Sequence, residues 1–566
     1  MTLKKILNRR SFLKQSGTTA VGAAALTLGK PMLGSVTEPL ESFHSAWPRN
    51  ASRQWPGPEY WSNPLQDWRV SEGRLECFSP GGDRNVALLT RDVAERSGDL
   101  MLSVRLGKIG NEPLERGFVG FRVGIKNQMN DYRATAIYGR GMNTGINADG
   151  RLFIGSLDSS APRVDLGNEL HLQLHARPSA NGYAVSLRAT RVQDGQSGET
   201  TRDVPSEWLT GGLALVCSSG PVEPTPVTLE PITFEDDGDF SFYPPQQHRG
   251  GTMRFWFTDW TVGGSKVDHH NDRTYGPILF TLYTVSRGTL KLSAQFPPLG
   301  NAPSTATLQI RDKGKAWKSV ATAELDPGAW NAMFRVASWD ATRDYAYRVL
   351  YSMPNGSGEL QQYTYTGMVR KDPVTKREVV VGLLTCIWDF GFPHTDFTAN
   401  LAYHKPDVLF WTGDQIYEPV GGFGVIESRA PNLIQPAMYD FMRKWFIFGW
   451  AVRDLTREIP SVCMTDDHDV YHGNIWGCGG RPTNPALGDE GEGQAGEDSG
   501  GYKMSPRWVN MVQRLQTSHL PHPFDPTPVL QGISVYYTDL LWGGREFRDI
   551  GRSQVEIGAK DEAAWR

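Results

Sequence analysis

Two apolar runs in the last third of the chain constrain its architecture most. Val379-Val380-Val381-Gly382-Leu383-Leu384 and Asp407-Val408-Leu409-Phe410-Trp411 are continuous rather than alternating, and a segment with helical spacing separates them. Strands buried on both faces read this way, and two of them joined through a helix predict a parallel α/β unit. Chemistry on such a sheet collects at the C-terminal ends of its strands. The runs end in Thr385-Cys386-Ile387-Trp388-Asp389 and Gly413-Asp414-Gln415-Ile416-Tyr417-Glu418; downstream, Ile459-Pro460-Ser461-Val462-Cys463-Met464 leads into Thr465-Asp466-Asp467-His468-Asp469. The sequence therefore predicts carboxylates, a thiol, a phenol and an imidazole converging on one sheet edge.

Before Glu378 the pattern has period two. Leu100, Leu102, Val104 and Leu106 alternate with polar residues, and 118–125, 145–154, 171–176, 183–188 and 253–261 are further strand-like segments broken by Asn, Asp and Gly. They predict a two-sheet jelly-roll sandwich over 46–267. A second set, 288–296, 305–310, 329–336, 345–351 and 363–367, predicts a smaller immunoglobulin-like β-sandwich over 268–370. The charged stretch 370–377 reads as a linker, leaving 371–566 to the α/β domain. The expected whole is multidomain and largely β, which 61 Gly, 37 Pro and 18 Trp also favour.

Residues 1–45 read as a signal peptide and linker. Asn8-Arg9-Arg10-Ser11-Phe12-Leu13-Lys14 followed by a weak apolar stretch matches a twin-arginine signal, so the chain is expected to meet the twin-arginine export machinery and to reach the periplasm or be secreted. The stretch is too short to span a bilayer, so no membrane anchor is expected. A net charge of -4 gives no field that would recruit nucleic acid. Five cysteines, an odd count in an oxidising compartment, leave at least one unpaired or acting as a ligand.

Each residue type in the three motifs has a chemical use. Gly413 frees Asp414 to turn into the site, where its carboxylate can bridge two cations. Tyr417 offers a phenolate and Cys386 a thiolate to a strongly Lewis-acidic ion. Asp467 supplies oxygen to a second ion, and His468 can protonate a leaving oxygen. Calcineurin-like metallophosphoesterases carry Asp-x-His, Gly-Asp-x-x-(Asp or Tyr) and Gly-Asn-His-(Asp or Glu) in this order. The chain resembles their PhoD-type alkaline phosphatase branch, in which Cys replaces the first motif, Gly-Asp-x-x-Tyr-Glu follows and Asp-Asp-His-(Asp or Glu) stands third. The resemblance implies Fe3+ on Cys386, Asp414 and Tyr417, with Ca2+, or Zn2+ or another divalent ion, on the side of Asp467. It also implies a catalytic His468 and a small or polymeric phosphate ester as substrate.

Asp389, Glu418, Asp466, Asp469 and Asn474 are candidate orienting groups around the ligands, and Asn474-Ile475-Trp476-Gly477 also resembles the family. Asp389, His394 and Asp396 each divide evenly between such a role and ordinary loop residues. His472, His519 and His522 read as late ligands or, more commonly for such residues, solvent-facing loop histidines. The acidic stretch 489–498 reads as a mobile surface loop. The family's closing Gly-His-x-His or Gly-Asp-x-His motif does not occur after Asp469, and Arg545-Glu546-Phe547-Arg548-Asp549-Ile550 departs from the family's next strand. A truncated metal shell, a shifted reading frame and a weak or inactive enzyme are therefore expected. Asp67-Trp68-Arg69-Val70 with Gly73-Arg74-Leu75, then 145–155, loosely resembles concanavalin-like (LamG-like) jelly rolls that often bind glycans; a spacer without ligand is an equal expectation. A secreted glycan-binding or surface protein with a silent phosphatase remnant is the competing function.

Overall fold

A computed structural model describes residues 42–225, 248–473, 476–483 and 500–551. The twin-arginine segment, Asn474, the acidic stretch 489–498 and the residues after 551 lie outside the described residues. All that follows concerns the second of the chain's two units, Glu41–Arg566.

The period-two segments of the first region form a nine-stranded and a seven-stranded sheet. Leu100–Lys108 lies between Leu170–Ser179 and Phe255–Gly263 in one, and Gly211–Ser218 between Phe118–Lys126 and Asn85–Val93 in the other. Alternation turns Leu100, Leu102, Val104 and Leu106 inward against Leu172, Val185, Leu187 and Phe257. Stretch 145–154 is two strands rather than one. Arg140–Asn147 and Leu152–Ile154 pair antiparallel about a turn in which Gly150 takes φ 81, a left-handed position that the Asp-Gly pair supplies. One helix, Tyr132–Tyr138, has no counterpart in the sequence reading; Asp131 caps it by accepting the Arg133 amide at 2.8 Å.

The second region forms antiparallel sheets of three and four strands. Phe280–Ser286, Thr289–Gln295 and Asn331–Ala337 make the first, and Lys318–Glu324, Thr305–Arg311, Tyr345–Pro354 and Leu360–Val369 the second. Leu290, Leu292, Leu308, Tyr347 and Val349 share one core.

In the third region Val381–Leu384, Val408–Trp411 and Ser461–Cys463 run parallel in that spatial order. Leu384, Trp411 and Cys463 are level across the sheet, so the three following loops emerge side by side. The helix Thr395–Tyr403 joins the first two strands, and the 23-residue helix Ile434–Thr456 joins the second to the third. One expectation fails. Val381–Leu384 is not buried on both faces, because it is the edge strand and Val380, Val381 and Leu383 are exposed, Leu383 at 68%. Continuous hydropathy does not distinguish a central strand from an apolar edge. Arg545–Ile550, despite its departure from the family pattern, pairs with Thr538–Trp542 through Gly543 and Gly544 at φ 63 and 67, and Phe547 packs on Phe410 with ring centroids 5.1 Å apart. A single apolar cluster runs from Trp61 and Ile137 of the first sandwich into Trp445 and Trp450 of the long helix.

Candidate metal centre

The parallel register brings the three motifs together. Asp414 follows the middle strand with φ 55, and Cys386 follows the edge strand with φ 55. Left-handed backbone at such residues costs about 1–2 kcal/mol each, a cost carried here at both strand ends. Gly413 precedes Asp414 at φ 106, and a Cβ there would meet the Asp466 Cβ at 2.4 Å, so only glycine permits this turn.

Around Asp414 the donors are close. Its Oδ2 accepts the Tyr417 hydroxyl at 3.1 Å and the Cys386 thiol at 3.5 Å, while its buried Oδ1 has no hydrogen-bond partner among the described residues. Ligand atoms of Asp414, Asp467 and His468 lie within 4.8 Å of one another. Burial, then the Asp414 charge, raises the Asp467 carboxyl above its ordinary range. Burial first, then a hydrogen bond with Cys386 and the charge of Asp414, pushes the Tyr417 phenol well up. Two crowded carboxylates and a buried carboxylate oxygen without a partner among the described residues are an arrangement that a cation could occupy.

The surrounding groups hold this arrangement. Asp469, fully buried, accepts the amides of Asp414 at 2.8 Å, Ile416 at 3.1 Å and Asp466 at 3.0 Å, together with Gln516 Nε2 at 2.9 Å. Burial nevertheless lifts its carboxyl to about 7. Asp466 accepts the Trp476 indole N–H at 3.0 Å. Glu418 bonds Nδ1 of His468 at 2.8 Å, and that bond, working against burial, raises the imidazole to about 9. The Tyr417 ring lies between Trp388 and His468, at centroid distances of 4.1 and 4.3 Å.

Asp389 is buried beside the first motif. Its carboxylate accepts the Tyr138 hydroxyl from the first sandwich and the Gly421 amide at 2.8 Å, so it ties the first motif loop to the sandwich. Tyr138 carries no local sequence signal for this, because the contact spans 251 residues. A Tyr138→Phe protein is expected to lose about 1–3 kcal/mol, since a buried carboxylate loses a donor; denaturant titration checks this.

The late histidines are not in the cluster. His472 is buried and bonds the Thr483 hydroxyl at 3.1 Å; His519 is fully buried and bonds the Ser461 carbonyl at 2.9 Å, at the far end of that strand. Neither is a solvent-facing loop residue, because each finds an internal partner. His522 bonds Arg335 instead. His394 precedes the helix Thr395–Tyr403 with φ 58, and Asp396 is exposed in its first turn. All five cysteines are free, with Cys386 the exposed one. Burial lowers His519 to about 3. Between that value and the ordinary 6.5 the unfolded chain binds a proton that the folded chain refuses, so stability falls with pH below 6.5. Roughly 2 kcal/mol is expected to be lost by pH 5, and His519→Gln is expected to flatten the slope in denaturation measured from pH 8 to pH 5.

No known family model matches the sequence, and no curated protein does. Among solved structures the chain is similar to arcelin-5, a lectin-like defence protein from Phaseolus vulgaris, at 10% identity and TM-score 0.25, covering 40% of this chain and 98% of that one. Lectin II from Ulex europaeus gives the same four values. The exoplasmic/lumenal domain of VIP36 in its Ca2+-bound form follows at 8% identity and TM-score 0.22, covering 38% of this chain and 89% of that one. At TM-scores this low the likeness says nothing about what the chain binds.

Proposed function

We propose that the chain is an exported metal-dependent phosphoesterase acting on small or polymeric phosphate esters. One observation carries the reading: the carboxylates of Asp414 and Asp467 lie within 4.8 Å of each other and of a His468 ring nitrogen, where the buried Oδ1 of Asp414 has no partner among the described residues. An unpaired buried polar group costs on the order of 1–3 kcal/mol, which a cation would offset. The donors fit two unlike ions. Cys386 and Tyr417, both hydrogen-bonded to Oδ2 of Asp414, suit Fe3+, while Asp467 suits Ca2+, Zn2+ or another divalent ion.

Such ions would supply Lewis acidity toward the phosphoryl oxygens and acidify a water. The chain's own residues orient and move protons. Asp469 fixes the amides of Asp414 and Ile416 and so the direction of the Asp414 carboxylate. Glu418 occupies Nδ1 of His468, leaving the other ring nitrogen to face the substrate. The Glu418 hydrogen bond favours the charged imidazole, which can then donate to the leaving oxygen. The test is hydrolysis of p-nitrophenyl phosphate and bis-p-nitrophenyl phosphate by protein supplied with these metals. His468→Asn should slow turnover roughly a hundredfold while bound metal is retained; an unchanged rate removes His468 from the reaction.

A second reading assigns glycan binding to the first sandwich. It is supported by a polar cleft of 550 Å³ lined by Trp47, Arg74, Arg105, Glu169, Trp256 and Asp259. Retention on polysaccharide beads that survives Asp414→Asn would favour it.

A further inference from the structure

We propose that the polar cleft on the first sandwich is selective for acidic saccharides, those that carry uronate carboxylates. The inference rests on the glycan-binding reading of that cleft and is independent of the metal centre. Three arginines line the cleft, and one of them is already neutralised: Arg105 donates to Glu169 at 2.7 Å and pairs with Asp259 at 3.4 Å. Arg49 and Arg74 make no ion pair among the described residues. Glu72, the remaining acid of the lining, is exposed on the turn between them and is not paired with either.

Local geometry brings the two unpaired guanidiniums to one place. Trp68–Ser71 and Arg74–Cys77 form a hairpin with Ser71 opposite Arg74, so its turn is Glu72-Gly73 alone, at φ 52 and 77. Gly73 also makes room for Arg49, whose Cγ lies 3.1 Å from where a Cβ would stand, so both arginines flank this turn. The Arg74 guanidinium lies over the Trp256 ring at 4.3 Å, and that ring sits against Gly107, where a Cβ would meet it at 2.4 Å. A guanidinium stacked on a fixed ring keeps its N–H edge free and loses little freedom when it takes a carboxylate. In the same cleft, Asp259 occupies a bulge: the strand Phe255–Gly263 shifts register between Thr258 and Thr261, and Asp259 takes φ 52 with its side chain 61% exposed. Its one contact at 3.4 Å leaves carboxylate lone pairs for sugar hydroxyls. The cleft of 550 Å³ thus offers forked donors to a carboxylate and acceptors to hydroxyls. A neutral sugar would leave both guanidiniums without a charged partner, whereas a uronate supplies one.

Affinity electrophoresis of the full chain tests the selectivity, through gels containing polygalacturonate and, separately, the same polymer with its carboxylates reduced to alcohols. The acidic polymer is expected to retard the chain and the reduced one to do so at least tenfold more weakly. Arg49→Gln and Arg74→Gln are each expected to weaken retention by the acidic polymer about tenfold, with the parent's far-UV spectrum unchanged, while Asp414→Asn is retarded as the parent is. Arg49 is exposed, so its variant carries the test even where Arg74→Gln disturbs the packing on Trp256. Equal retention by both polymers, unmoved by either arginine substitution, would overturn the acidic selectivity and leave the glycan reading standing. Retention by neither polymer would remove both.

Discussion

Asp440→Asn is expected to destabilise the protein by about 3–5 kcal/mol, the scale for stripping one member from a buried ion network. Asp440, Arg443 and Lys444 are fully enclosed on the long helix. Asp440 accepts Lys444 at 2.8 Å and, from the first sandwich, Gln66 at 3.2 Å. Lys444 also donates to the Tyr471 hydroxyl at 2.8 Å, and Arg443 donates to the carbonyls of Val420, Gly421 and Gly422, just beyond Glu418. Burial lowers the Lys444 ammonium against the pull of Asp440, so removing Asp440 leaves two cations in the interior without their anion. Adding Lys444→Met should recover part of the loss, a coupling that a double-mutant cycle in denaturant reads directly. A loss below 1 kcal/mol would mean that the network does not hold the helix to the site loops.

Asp414→Asn is expected to lower metal affinity and turnover by roughly a hundredfold or more, since removing a residue proposed to hold the metal should exceed the tenfold to hundredfold typical of losing an outer hydrogen-bond partner. The fold should survive, because Asp469 holds residue 414 through its amide rather than its side chain. The metal-free variant should even match or exceed the parent in thermal midpoint. Asp414 contributes to the raised pKa of Asp467, and that repulsion disappears with the charge. Loss of activity with gain of stability is the signature of a strained binding site, whereas loss of both would make Asp414 a structural residue.

What could be read in the sequence is what is local. Period two fixed most strands of both sandwiches, and continuous runs ending in Cys386, Asp414 and Asp466-Asp467-His468 put the cluster at the end of a parallel sheet. The edge position of Val381–Leu384 was hidden because neighbours in space, not hydropathy, make an edge. Tyr138, Gln66 and Gln516 brace the centre across 251, 374 and 47 residues, and no spacing rule reaches so far. The Asp440–Lys444 pair, four residues apart on a helix, had a readable signal in its i,i+4 charges within an apolar stretch. Its burial did not.

The central claim is that Cys386, Asp414, Tyr417 and Asp467 hold metal. Plasma mass spectrometry of the purified chain, read with its visible absorption spectrum, tests this most directly. The account predicts near-stoichiometric iron with a second cation, and a visible charge-transfer band that Tyr417→Phe removes or shifts. A colourless protein that takes up neither iron nor a divalent ion on reconstitution would contradict it.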